Sequence, residues 1–174
     1  PEILFEGKSR PQMTASEASI ASEMTPRLLF VVTEDWYFVS HRLQLAKRMK
    51  ASGFQVAVAT RLGELAETIE SAGLEVFDVP FERSLRRPWS DIKTLWALRR
   101  VAKQWRPDII HLVSLKPILL GSAAIRISRH NCSTVFAFTG MGFLFSSSRW
   151  LARALRPVVV WLLRRACKVG GDAV

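Results

Sequence analysis

Five short apolar runs, each followed by a stretch with helical spacing, constrain this chain more than any other feature. The runs are residues 27–33 (RLLFVVT), 54–60 (FQVAVAT), 74–79, 108–113 and 133–138. They are nearly unbroken in apolar character, as expected of parallel strands covered by helices on both faces. Between them the apolar residues step at helical intervals. Leu43, Ala46 and Met49 follow Ser40, which reads as an N-cap, and Gly53 closes that helix. Leu62, Leu65, Ala66 and Ile69 share a face before Gly73. A helix opening at Ser90 or Asp91 would turn Ile92, Leu95, Trp96, Ala102 and Trp105 inward and stop before Pro107, and residues 117–128 form another with proline near its start. Strict alternation of this kind specifies an α/β fold, a Rossmann-like doubly wound parallel sheet.

In such sheets ligands lie beyond the carboxyl ends of the strands, so the turns there are the places to look for function. Two fall in residues 107–145: Ser114-Leu115-Lys116-Pro117 and Thr139-Gly140-Met141-Gly142. Lys116 offers an ammonium just after the fourth strand, or a solvated turn lysine. Gly140 and Gly142, next to Thr139, bare backbone N–H groups to a ligand or simply permit a sharp turn. The turn after the first strand, residues 33–42 (TEDWYFVSHR), contains no glycine. Close approach of a pyrophosphate needs G-x-G-x-x-G there, so no nicotinamide or flavin cofactor and no P-loop is expected. The same turn places Ser40, His41 and Arg42 at a helix N-terminus, where a cation strengthens the attraction for anions. Packing for His41 and a surface ion pair for Arg42 are the alternatives. His111, inside an apolar strand, reads as structural. Arg83, Arg86 and Arg87 form a basic cluster at the same sheet edge. The only carboxylates near the strand ends are Glu34, Asp35 and Glu82, and neither a catalytic dyad or triad nor a metal site can be assembled.

The chain has 174 residues, an apolar fraction of 49% and a formal net charge of +10. These values fit one domain with an anionic partner. Cys132 and Cys167 have neither metal-ligand nor disulfide spacing and fit a reducing compartment. No apolar run reaches the roughly 18 residues of a spanning helix. Residues 1–24 carry no signal-peptide core; they are expected to be a disordered leader, with Met13 or Met24 as the initiator and residues 25–174 as the folded domain. Residues 149–168 read as a C-terminal amphipathic helix, kinked at Pro157. Leu151, Leu155, Val158, Leu162 and Ala166 line one face, with arginines opposite. That helix either covers the core or rests on anionic lipid. In the second case Arg149, Trp150, Arg153, Arg156 and Trp161 face the membrane.

Three segments, in order, carry a family resemblance: FVVTEDWYFVSHRLQLAKRMKASGFQVAVAT, PDIIHLVSLKPILLGSAAIR and VFAFTGMGFLF. Together they resemble the N-terminal half of bacterial family 4 retaining glycosyltransferases, which have the GT-B architecture of two Rossmann-like domains. The resemblance runs from about Met24 to the C-terminus. It implies an acceptor-side domain that takes part in moving a sugar from a nucleotide sugar to a lipid-linked, polyprenyl-diphosphate glycan acceptor in surface polysaccharide synthesis. It also implies metal independence, no cofactor beyond the nucleotide-sugar donor, and a cytoplasmic position at the inner face of the plasma membrane. Most donor contacts would come from a C-terminal domain lying outside this sequence, so the chain alone is expected to be inactive. Thr139 stands where many relatives carry a histidine, and no catalytic residue is assigned. The alternative is a non-catalytic basic Rossmann-like module that binds anionic membrane or nucleic acid. The basic residues fall into a terminal helix and a loop cluster rather than one stripe interleaved with aromatics, so nucleic acid is not expected.

Overall fold

The computed structural model describes residues 25–82 and 88–138. Its elements run β1 (Arg27–Glu34), α1 (Asp35–His41), α2 (Leu43–Ala51), β2 (Gln55–Arg61), α3 (Ala66–Ser71), β3 (Glu75–Asp78), α4 (Pro88–Trp105), β4 (Ile109–Val113), α5 (Leu115–Ser128) and β5 (Ser133–Ala137). All strand pairs are parallel, in the order β3-β2-β1-β4-β5. The chain builds outward from β1 to β3, then crosses back to β4. The order therefore reverses between β1 and β4, and the crevice of a doubly wound sheet opens above that point. The expected fold class is what the structure shows, and all five expected strands are present within a residue or two of their boundaries.

Alternate residues of each strand feed two cores. Leu29 and Val31 of β1, Ala57 and Ala59 of β2 and Ile110 and Leu112 of β4 pack under α4 and α5, against Leu98, Val101, Trp105, Ile118 and Ile125. Leu28, Phe30 and Val32 of β1, Val56 and Val58 of β2 and Val113 of β4 pack under α1, α2 and α3, against Phe38, Leu43, Ala46 and Ile69. Both faces of the central strands are thus dry, which is why their sequences read as unbroken apolar runs. α5 lies unusually close to β4. A Cβ on Gly121 would fall 2.5 Å from Leu112 Cδ2, so this helix needs a glycine at its point of contact.

The amino edge of the sheet is laced by Arg27. Its backbone N–H donates to Asp108 Oδ2 (2.8 Å), its Nε to Gln55 Oε1 (3.2 Å) and its Nη1 to Trp105 O (3.0 Å). Trp105 Nε1 in turn donates to Glu75 Oε2 (2.8 Å).

Three local expectations are corrected. The segment after β1 is not a loop capped by Ser40: α1 starts at Asp35, and Ser40 lies inside it, with its hydroxyl donating back to Trp36 O (2.8 Å). α3 begins only at Ala66, because Leu62, Gly63 and Leu65 use their N–H groups on the side chains of Asp78 and Asp35. On α4 the inward face is Thr94, Leu98, Val101, Ala102 and Trp105, whereas Ile92 and Trp96 face outward. Thr94 can be buried because its hydroxyl lies 2.7 Å from Pro80 O and 3.0 Å from Ser90 O. The expected C-terminal amphipathic helix and the 1–24 leader lie outside the described residues.

Candidate functional site

The carboxyl edge above β1 and β4 is built from three junctions. At the first, β1 runs directly into α1 through two acidic residues. Glu34, largely buried, pairs with Arg61 Nη2 at 2.6 Å. Asp35 is buried at the start of α1, where a carboxylate complements the helix dipole. Its Oδ1 accepts the N–H of Trp36 (2.7 Å), and its Oδ2 accepts those of Gly63 (2.8 Å) and Leu65 (3.0 Å). A Cβ on Gly63 would lie 3.0 Å from that Oδ2, so the approach favours glycine. The Trp36 N–H, at the first helix start where a dinucleotide fold would hold a pyrophosphate, is directed here at a protein carboxylate.

The second junction is the short helix α1 and its break at Arg42. Its outer side is aromatic: the His41 ring stacks on Tyr37 at 4.3 Å and 10°, and the exposed Trp36 meets Tyr37 edge to face at 5.7 Å. His41 Nδ1 lies 3.2 Å from Tyr37 O. His41 therefore ends α1, where a basic group suits the carbonyl-rich terminus, rather than opening a helix as the sequence suggests. Arg42 does sit at the N-cap of α2. Its N–H donates to Phe38 O (2.8 Å), and its carbonyl accepts from Ala46 (2.9 Å). Its charge is felt by His111 on β4. Burial first, and Arg42 second, hold that imidazole below its ordinary pKa of 6.5. His111 lies against Phe30 at 5.1 Å, with Nε2 buried and unpaired. Two titratable or charged groups thus meet on the α1–α2 side of the sheet.

The third junction follows β4. Ser114 takes φ 74° and ψ 167°, a conformation costly to any residue but glycine. It is held there by its N–H, donating to Ala137 O (2.8 Å), and by its carbonyl, which accepts from Ile118 (3.1 Å). Strain of this kind collects at functional sites, and Ser114 joins the candidate residues on that ground. The sequence marked the Ser-Leu-Lys-Pro turn but gave no sign of which residue in it carries the strain. α5 begins at Leu115, two residues earlier than expected, so Lys116 belongs to its first turn. Lys116 Nζ lies 2.7 Å from Asp91 Oδ1 and donates to Glu82 O at 2.7 Å. The ammonium is engaged on the α4–α5 side, away from Arg42 and His111, and ties the first turns of α4 and α5 together.

The structure therefore brings Ser40, His41 and Arg42 together on one side of the crevice and Lys116 to the other. Thr139, Gly140, Gly142, Arg149, Trp150, Arg153, Arg156 and Trp161 lie outside the described residues, as do Arg83, Arg86 and Arg87. Among the described residues no group of three or more His, Cys, Asp or Glu is placed to hold a metal ion. Cys132 is half-buried, and burial, aided by Asp108, pushes its thiol up to about 11, which makes it a poor nucleophile.

A family model described as a glycosyl transferase 4-like domain matches residues 39–169. The chain belongs to this family. A curated relative, EpsD of Bacillus subtilis (strain 168), is a protein whose name assigns it to the glycosyltransferases. It is 28% identical over 143 residues, covering 80% of this chain and 35% of EpsD. The chain thus spans about a third of that relative's length. Among solved structures, MurG of Acinetobacter baumannii superposes with a TM-score of 0.51 at 15% identity, over 64% of this chain and 34% of MurG. A glycosyltransferase from Rickettsia africae ESF-5 does so with 0.51 at 16%, over 71% and 34%. A UDP-N-acetylglucosamine 2-epimerase gives 0.52 at 14%, over 78% and 40%. These likenesses establish the fold, one Rossmann-like half of the GT-B architecture. Because an epimerase shares it, the fold alone does not separate transfer from epimerisation.

Proposed function

We propose that this domain is the acceptor-side half of a retaining glycosyltransferase that moves a hexosyl or N-acetylhexosaminyl group from a nucleotide sugar to a lipid-linked, polyprenyl-diphosphate glycan in surface polysaccharide synthesis. The observation that carries the reading is the family match over residues 39–169 on a sheet whose crevice opens between β1 and β4. The chemistry of that crevice supports an acceptor role. With Asp35 already filling the first helix N-terminus, a donor pyrophosphate is unfavourable there, since two anions would face each other. The ledge formed by exposed Trp36 and His41 around half-buried Tyr37 instead offers ring faces on which an apolar sugar face can stack, and Arg42 offers charge beside it. Donor contacts would come mainly from the remaining length of a protein such as EpsD.

Positioning of two substrates accounts for much of the rate enhancement of such a reaction, so the purified chain alone should bind acceptor and not turn over a nucleotide sugar. We place the domain in the cytoplasm at the inner face of the plasma membrane, with residues 25–174 as the folded unit. The test joins the chain to a complete donor domain and supplies a radiolabelled nucleotide sugar with either a short polyprenyl-diphosphate glycan or the same glycan without lipid. Transfer favouring the lipid-linked acceptor supports the proposal. Equal transfer to both, or robust turnover by the isolated chain, refutes it.

A further inference from the structure

The outward face of α4 is unlike the solvent face of an ordinary helix. Trp89 is 78% exposed, Ile92 45% and Trp96 53%. Projected at about 100° per residue, these three fall on one narrow arc, opposite the buried Thr94, Leu98, Val101 and Trp105. Lys93, Arg100 and Lys103 are exposed on the same arc, and no carboxylate is among the residues it contains. Arg99 lies at its margin, its guanidinium carbon 5.0 Å from the centroid of the Trp96 ring. The exposed apolar groups therefore fall in the first half of the helix, with Lys93 among them, and the second half is basic outside. Apolar groups of this size on a water-facing surface lose the free energy of burial, and a contiguous patch rimmed by cations marks an interaction surface.

We infer that the outer face of α4 is a membrane-docking surface for an anionic lipid bilayer. Trp89, Ile92 and Trp96 enter the headgroup region, where amphipathic indole rings are favoured, and Lys93, Arg100 and Lys103 lie on the anionic lipid around them. Charge complementarity selects this occupant: an apolar wedge with an all-cationic flank matches a surface that is negative outside and apolar beneath. The position fits as well. A helix that returns between parallel strands starts at the carboxyl edge of the sheet, so Trp89 stands at the edge where the crevice opens. The Lys116–Asp91 contact fixes that first turn of α4 to α5, beside the strained Ser114. A substrate anchored in the bilayer would thus reach the crevice without leaving its membrane. The choice of lipid over other polyanions rests on the acceptor proposed above. Vesicle binding, however, is read without donor or transfer, so failure of one reading is distinguishable from failure of the other.

The test is co-sedimentation of the full 174-residue chain with vesicles of phosphatidylcholine alone and with about one third phosphatidylglycerol. It compares the parent, Trp89→Ser/Trp96→Ser, Lys93→Glu/Arg100→Glu/Lys103→Glu, and a control with Lys47→Glu/Arg48→Glu at exposed positions of α2, each checked for folding by circular dichroism. All altered α4 positions are exposed, so the fold should persist. The parent should bind the anionic vesicles at low salt and release at high salt. Each α4 variant should lose at least about tenfold in partition coefficient, while the control keeps most of its binding. Parent protein that ignores anionic vesicles would overturn the inference, as would loss confined to the control. So would α4-dependent binding to RNA with vesicles ignored, or an α4-dependent dimer in sedimentation velocity that forms in place of vesicle binding.

Discussion

Lys116 in the first turn of α5 holds Asp91 in the first turn of α4 across 2.7 Å, with only 10% and 25% of the two side chains exposed. Removing either partner costs the other, largely desolvated group this ion pair. Lys116→Met and Asp91→Asn should each destabilise the domain by about 1–2 kcal/mol, and the double variant by clearly less than the sum, read from urea midpoints. In a transfer assay of the completed protein the two single variants should lose activity by similar factors, the signature of a positioning pair. Loss with Lys116→Met alone would instead put the ammonium on the substrate.

The close approach of α5 to β4 gives a second expectation. Gly121→Ala improves helix propensity by about 1 kcal/mol but drives a methyl group into the fully buried Leu112. Overpacking of a tight core outweighs propensity, so Gly121→Ala should lower stability by about 1–2 kcal/mol. Leu112→Val in the same chain should restore part of that loss, which thermal denaturation of the four members of the cycle will show.

Ser114 is held at a backbone geometry suited to glycine. Ser114→Gly should remove strain of about 1–3 kcal/mol, offset in part by the greater freedom of glycine in the unfolded chain, and so raise the melting temperature. Ser114→Val should lower it. If the strained turn serves the reaction, the stabilised glycine variant will transfer sugar more slowly than the parent, a split that calorimetry and kinetics together can resolve.

His111 supplies a pH dependence with a definite sign. Its folded pKa lies below the ordinary 6.5, through burial and then Arg42. Above the unfolded value both states are neutral there and the full stability is present. As pH falls through about 6.5 the unfolded chain takes up the proton first, and stability declines until the folded pKa is reached. Melting temperatures should therefore fall from pH 7.5 toward pH 5, and His111→Gln should flatten that slope. In an NMR titration the His111 ring should inflect below 6.5, and at a higher value in Arg42→Gln.

The frame was legible because its determinants are local. Phe30, Val58 and Leu112 sit in runs that only two-sided burial explains, and Gly53 and Gly73 stop the helices before β2 and β3. The site was less so. α1 was hidden because Trp36, Tyr37 and Phe38 resemble a bulky loop, and its opening signal, the single carboxylate Asp35, makes its other contacts with Gly63 and Leu65, far along the chain. Apolar size placed Ile92 and Trp96 inward, while the face that packs includes Thr94, whose hydroxyl is satisfied by a backbone carbonyl from the preceding loop. The partnership of Lys116 with Asp91 spans two elements and leaves no periodic trace. Contacts that join distant turns are set by the finished fold, so a single sequence does not spell them out.

The Arg27 network has a consequence for how such a domain can diversify. Its links to Gln55, Trp105 and Asp108, with Trp105 passing on to Glu75, anchor four strand beginnings at the edge remote from the crevice. Stability is thereby banked where no substrate arrives. The exposed positions at the opposite edge can then change their chemistry without unseating the sheet. Exchange of the exposed Trp36, Ser40 and His41 for other residues should accordingly alter substrate preference at little cost in folding, whereas Arg27→Ala should loosen the scaffold for every substrate alike.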